Sequence, residues 1–140
     1  MKLHEKEIQS VLKLSSEKRF EYAMKRIIEQ EEIWFLDDDG WVTYENKEEN
    51  VYLLPIWPAE CFAKMNVGGN WGTAQAEKLE LEEFLLDYVP DLIEQNIKIV
   101  IFPVTHSDVT CEMDIISFCN YINSYSMEWY GESYDLPYLE

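Results

Sequence analysis

The sequence predicts an α+β fold: an antiparallel sheet, made of a three-stranded meander plus a central apolar strand, packed with four to five helices. Three observations carry this expectation. Residues 33 to 57, IWFLDDDGWVTYENKEENVYLLPIW, form the densest aromatic and β-branched stretch of the chain and are cut by two turn signals. Residues 20 to 28 repeat apolar side chains at helical spacing. Residues 97 to 104, IKIVIFPV, are short and almost wholly apolar, as a strand covered on both faces is.

Taken in order, residues 4 to 12 suit a short helix with Ile8, Val11 and Leu12 on one side. Ser15 or Ser16 then suits an N-cap, followed by Glu17 in the first turn, where a carboxylate meets the positive end of the helix dipole. Phe20, Ala23, Met24, Ile27 and Ile28 follow at i, i+3, i+4, i+7 and i+8, an amphipathic helix ending near Glu31. The meander comes next. Ile33–Leu36 leads into Asp37-Asp38-Asp39-Gly40, a turn signal because Gly accepts positive φ and Asp tolerates it. Trp41–Tyr44 is the expected second strand, Asn46–Asn50 a polar turn, and Val51–Leu54 the start of a third strand limited by Pro55.

Pro58 fits the first turn of a further helix whose buried side is Cys61, Phe62 and Met65. Asn66–Gly72 ends that helix, with Gly68 or Gly69 free to take a left-handed cap and Trp71 carried on the loop. Leu81 to Asn96 reads as helix, with Leu81, Phe84, Leu85 and Tyr88 inward and Pro90 forcing a kink or two consecutive short helices. After the strand at 97 to 104, a loop leads to an edge strand at Val109-Thr110-Cys111. Asp114 is the expected cap of the last helix, where Ile115, Phe118, Cys119, Ile122, Tyr125 and Trp129 recur at helical spacing. The tail GESYDLPYLE has no period and is expected to fray.

With 140 residues, one domain spanning 1–140 is expected, long enough for a proper core. At 47% hydrophobic and 14% aromatic the chain is globular, not disordered. Asp and Glu number 28 against 11 Lys and Arg, a formal charge of −17. Such a field repels nucleic acid and anionic lipid and suits a basic protein partner, chiefly by speeding encounter. The N-terminus MKLHEKEIQS lacks the apolar segment of a signal peptide, and no stretch reaches the length of a membrane span. Cys61, Cys111 and Cys119 are odd in number and form no CxxC pair, which argues for reduced thiols and a cytoplasmic location.

No catalytic set stands out. An EF-hand with its glycine at Gly40 would need a ligand at Phe35 and a closing Glu at Asn46, and neither position provides one. The glycines Gly68 and Gly69 lack both the preceding strand and the following Lys of a phosphate-binding loop. His106, Cys111 and Asp108 hold the residue types of a nucleophile, base and orienter, but their spacing across a turn does not create the contacts. Two distant histidines and three scattered cysteines match no zinc spacing, so neither metal nor cofactor is expected. Aromatics this dense can line a pocket or a partner surface. Trp34, Trp41 and Trp57 suit strand packing better, and Trp71 on its Gly loop is the better functional position.

The chain resembles the bacterial domain-of-unknown-function 2750 family. The matching pieces are Arg19-Phe20-Glu21-Tyr22, Glu32-Ile33-Trp34-Phe35-Leu36, Asp39-Gly40-Trp41 and Leu54-Pro55-Ile56-Trp57-Pro58 with Ala63. Trp71, Leu81-Glu82-Glu83-Phe84-Leu85, Val89-Pro90-Asp91-Leu92 and the run from Ile97 to Pro103 complete them, over roughly residues 18 to 120. The resemblance implies a small cytoplasmic bacterial protein and brings no catalytic or binding residues with it. In size and charge the chain is also similar to immunity proteins that neutralise toxins, an analogy only. A non-enzymatic protein-binding module is therefore the expected function. The alternative is a small-molecule binder or enzyme with a pocket lined by Trp41, Trp57 and Trp71 beside Gly68 and Gly69.

Overall fold

The computed structural model describes residues 3–67, 72–105 and 110–139. Its fold is α+β, with helices α1 (Glu5–Leu12) and α2 (Ser16–Gln30) leading into strands β1 (Glu32–Asp37), β2 (Tyr44–Asn46) and β3 (Val51–Ile56). A short helix α3 (Glu60–Lys64) and strand β4 (Gln75–Glu80) follow. One helical body then comprises α4 (Leu81–Glu83), a π turn (Phe84–Tyr88) and α5 (Val89–Glu94). The chain closes with β5 (Lys98–Ile101), β6 (Cys111–Met113), α6 (Ile115–Tyr130) and a 3-10 turn at Pro137–Leu139.

Local chemistry sets the helix ends. Ser15 caps α2, its hydroxyl accepting from the Lys18 N–H at 3.3 Å. Asp114 caps α6, its carboxylate accepting from the Ser117 N–H at 2.8 Å and the Ser117 hydroxyl at 3.0 Å. Those bonds to the charged form, the backbone one foremost, hold the Asp114 carboxyl below its usual range. Ala59 is the N-cap of α3, so Pro58 lies just before that helix rather than inside its first turn. Phe62 and Ala63 are its buried residues, Cys61 is half-buried and Met65 is exposed.

The strands form two sheets. β1 pairs antiparallel with β4, and a second sheet has the order β2-β3-β5-β6. In that second sheet β3 and β5 run parallel and the outer pairs are antiparallel. The apolar strand β5 is interior, as expected, and the edge strand β6 begins at Cys111, two residues later than the expected start at Val109, which lies outside the described residues. Ile99 and Ile101 face the main core, whereas Val100 packs with Val51, Leu53 and Tyr44 on the other face.

The expected three-stranded meander is only partly formed. β2 and β3 make its second hairpin, around a turn in which Asn46 Oδ1 accepts from the Glu48 and Glu49 N–H groups at 3.1 and 3.2 Å. The first hairpin closes at its tip but does not propagate. The Gly40 N–H donates to Asp37 Oδ1 at 2.9 Å, the Val42 N–H to the Leu36 carbonyl at 2.9 Å, and Asp39 and Gly40 take φ of 57° and 118°. Trp41 then makes a single bridge to Asp37, and the next strand begins only at Tyr44. One whole edge of β1 is taken by β4, and its other edge is shared between Trp41 at one end and Trp57 at the other. Strand β4, QAEKLE, was not expected, because Ala, Glu, Lys and Leu favour helix. Pairing with β1 overrides that preference.

Trp57 joins the two sheets. Its N–H and carbonyl exchange bonds of 3.0 Å with Trp34, and its indole Nε1–H donates to the Pro103 carbonyl at 2.9 Å. Main-core residues come from α1, α2, β1, β3, α3, α4, the π turn, α5, β5 and α6, with Leu136 from the tail.

That tail is pinned rather than frayed. The Asn123 side chain donates to the Tyr134 carbonyl at 3.0 Å and accepts from its N–H at 2.8 Å, while Leu136 is buried. The Tyr138 hydroxyl donates to the Leu85 carbonyl at 2.8 Å. The reason lies in the π turn, where Val89 N–H bonds the Phe84 carbonyl five residues back. In that register the Leu85 carbonyl would need the N–H of residue 90, which is proline. The two consecutive short helices expected around Pro90 are thus α4 and α5, joined by a π turn and with Pro90 in the first turn of α5, and Tyr138 fills the vacated acceptor. Tyr138→Phe is expected to lower stability by about 1–2 kcal/mol, since a buried carbonyl loses its partner. Urea unfolding with an unshifted midpoint would show that this bond does not hold the tail.

Candidate functional site

Helix α6 carries two neighbouring stripes. Ile115, Phe118, Cys119, Ile122 and Ser126 are buried against the body of the protein. Tyr121, Tyr125 and Trp129 succeed one another at i, i+4 and i+8 on the adjoining stripe, where side chains one turn apart meet. Tyr121 and Tyr125 stack at 6.1 Å and 21°, and Tyr125 and Trp129 at 4.7 Å and 11°. Phe20 of α2 meets Tyr121 edge to face at 5.4 Å. Tyr121 is 43% exposed and Trp129 41%, so the ladder meets solvent. Tyr125 and Trp129, expected on the inner face of this helix, are thus the half-buried middle and the open end of an outer one.

Two open clefts follow this ladder. The first, about 540 Å³, is bordered by Phe20, Tyr121, Tyr125, Met113 and the carboxylates Glu17 and Glu21. The second, about 500 Å³, continues from Glu21 and Tyr125 to Trp129 and Glu128, and is also lined by Lys18 and Lys25, which share the Glu21 face of α2. Burial raises the Tyr125 pKa, and Tyr121, Glu21 and Glu128 raise it further, so its hydroxyl stays neutral in a locally negative field. Ring faces flanked by carboxylates favour a cation.

The tryptophans named from the sequence are placed differently. Trp57 is wholly buried. Trp41 lies flat on Phe35 at 4.1 Å and 4°, is 4.9 Å from Tyr88, and donates its Nε1–H to Glu77 at 3.2 Å. Neither borders the clefts described here. Gly68, Gly69 and Trp71 lie outside the described residues, as do His106 and Asp108. Two aspartates of the first turn are engaged: Asp37 within the turn itself, and Asp38, which accepts from the Thr73 hydroxyl at 2.8 Å.

A third cleft, about 420 Å³, brings Cys61 near Arg26, Glu32, Trp34 and Lys64. Burial raises the Cys61 pKa more than Arg26 lowers it, which leaves a neutral thiol, the wrong form for a nucleophile. Burial likewise raises Cys111 and pushes Cys119 up to about 11. Among the described residues no group of three or more His, Cys, Asp or Glu could hold a metal ion, and no helix is long and apolar enough to cross a membrane.

Sequence reasoning missed the α6 ladder because Tyr125 and Trp129 also fit the inward period. The signal was there in the strict four-residue recurrence of Tyr121, Tyr125 and Trp129 beside an already complete apolar stripe. Fold and ladder together define a small α+β protein with an exposed face of aromatic rings and carboxylates. The chain belongs to the family described as "Protein of unknown function (DUF2750)", whose model matches residues 20–122. No curated protein and no solved structure matches it.

Alkylation of the native protein near pH 8 is expected to be slow at Cys61 and Cys111 and slowest at Cys119. It should accelerate with rising pH, because only the thiolate reacts. Labelling of Cys61 near pH 7 faster than in the urea-unfolded chain would reverse the neutral-thiol assignment.

Proposed function

We propose that this protein is a non-enzymatic binding module that takes a cationic side chain of a basic protein partner in the groove between α2 and α6. The carrying observation is the solvent-facing ladder of Phe20, Tyr121, Tyr125 and Trp129, edged by Glu17 and Glu21 at its Tyr121 end, with Glu128 at its Trp129 end and Lys18 and Lys25 beside Glu21 there. Ring faces attract Lys or Arg by about 0.5–2 kcal/mol each, more as water is excluded, and the carboxylates complete the charge match. The formal charge of −17 adds long-range attraction that speeds encounter with a basic partner and is screened by salt. Neutralising a basic toxin, or holding a basic regulatory protein, suits this chemistry. Nucleic acid and anionic lipid are disfavoured by the same charge. A small-molecule pocket lined by Trp41, Trp57 and Trp71 has less support, since Trp57 is wholly buried and spends its indole N–H on Pro103.

The double variant Tyr121→Ala/Tyr125→Ala should keep the fold and lose affinity for a stoichiometric basic partner by about tenfold or more, as hot-spot aromatics do. Complex formation should also weaken between about 0.05 and 0.5 M salt as the Debye length shortens. Capture of the same partner at undiminished affinity by the double variant would sink the proposed groove.

A further inference from the structure

Charge is nearly absent from α6. One of its sixteen residues, Glu128, is charged, in a chain where 28% of residues are. Among the described residues eight large hydrophobic side chains are exposed, and Tyr121, Met127, Trp129 and Tyr130 of this helix are half of them. Aromatic residues with few charges are the composition of the core of a protein–protein contact rather than of a solvated face. The charges beside the helix select what covers it.

The two ends of the α2–α6 groove differ. Beside Tyr121 stand Glu17 and Glu21, with no lysine. Beside Trp129 stand Lys18 and Lys25 together with Glu21 and Glu128, a balanced set. All four side chains are exposed, and among the described residues none of them forms an ion pair. A basic partner gains at the Tyr121 end and is opposed by the lysines at the Trp129 end. A second copy of this chain matches the Trp129 end, because it brings two carboxylates to the two lysines and two lysines to the two carboxylates.

Helix direction makes that match geometrical. Phe20 meets Tyr121 towards the start of both helices, and Ile28 and Tyr130 border one cavity towards their ends. The helices α2 and α6 therefore run side by side in the same direction. A two-fold axis along the groove lays α2 of each copy on α6 of the other, still parallel and at the same height. Lys25 then faces Glu128 and Trp129 of the second copy. Trp129 ends the ladder: one ring face lies on Tyr125, and the other meets no ring among the described residues, which leaves it for a cation. Each contact occurs twice, as a self-complementary interface requires. We propose that the protein forms a two-fold dimer through the Trp129 end of the groove, with Lys25 of each copy on Trp129 and Glu128 of the other. The inference rests on the cation-binding reading of the groove and adds its regulation: a basic partner must displace the second copy to reach the ladder.

Two chains of charge −17 repel each other at long range, and salt screens that repulsion more than it screens contacts inside the interface. Dimerisation should therefore strengthen between about 0.05 and 0.5 M salt, opposite in sign to capture of a basic partner. The test is sedimentation equilibrium of the full chain at both salt concentrations, across about 0.01–1 mM protein. A monomer–dimer equilibrium is expected, tighter at the higher salt. Trp129→Ala and Lys25→Glu should each weaken it by about tenfold or more, and the charge swap Lys25→Glu/Glu128→Lys should return it to within about threefold. Tyr52→Ala removes a still more exposed ring, on β3, and should change it by less than about twofold. A monomer at every concentration at the higher salt overturns the dimer, as does indifference to Trp129→Ala or a charge swap that recovers nothing. The two readings fail separately. A chain that stays monomeric yet loses its basic partner in Tyr121→Ala/Tyr125→Ala strikes the dimer alone, whereas a dimer rescued by the swap, with the partner retained by that double variant, strikes the partner reading.

Discussion

Trp57 is the joint on which the two sheets depend. Its backbone exchanges two hydrogen bonds with Trp34, and its indole N–H reaches the Pro103 carbonyl. Three segments far apart in sequence thereby meet at one side chain: β1, the end of β3 and the turn after β5. Trp57 itself is wholly buried, so its polar groups have no water to turn to if these bonds are lost. The cost of an unpaired buried group exceeds the modest gain from making any single bond. The joint thus specifies geometry as much as it adds stability.

A second constraint comes from proline at position 90. In the helical body running from Leu81 to Glu94, a missing N–H must be accommodated, and the chain does so by widening into a π turn. The acceptor this vacates is met by Tyr138, and with Leu136 and the Asn123–Tyr134 pair it ties the tail onto α6 and the π turn. The same tail supplies a wall of the cavity between the ends of α2 and α6. A defect internal to one helix is in this way coupled to the form of a distant surface.

The charge distribution separates core from surface function. Among the described residues the buried polar side chains are Arg19 and Ser126, and Arg19 donates to the Leu14 carbonyl at 2.9 Å. The carboxylates stay at the surface, where they cost little in solvation and sum to a strong field. Against that field, half-exposed tyrosines and a tryptophan on α6 present the quadrupole faces that cations prefer. Local aromatic geometry and global charge both suit the cationic partner proposed for the α2–α6 groove.

The sequence by itself determined the α+β class, the helices and their caps at Ser15 and Asp114, the β2–β3 hairpin and the interior position of β5. Periodicity, capping chemistry and turn residues are local, and they act before distant segments meet. Family membership was equally legible, since it resides in ordered motifs such as Asp39-Gly40-Trp41 and Leu54 to Pro58. Only the tertiary structure decided that β1 leaves the meander for β4, that QAEKLE is a strand, and that the tail is bound. It also decided that Trp57 is a joint and that the α6 aromatics face outward. Each of these depends on which edge, carbonyl or ring arrives from elsewhere in the chain, and backbone hydrogen bonding between strands can override the helix preference of the residues that make it.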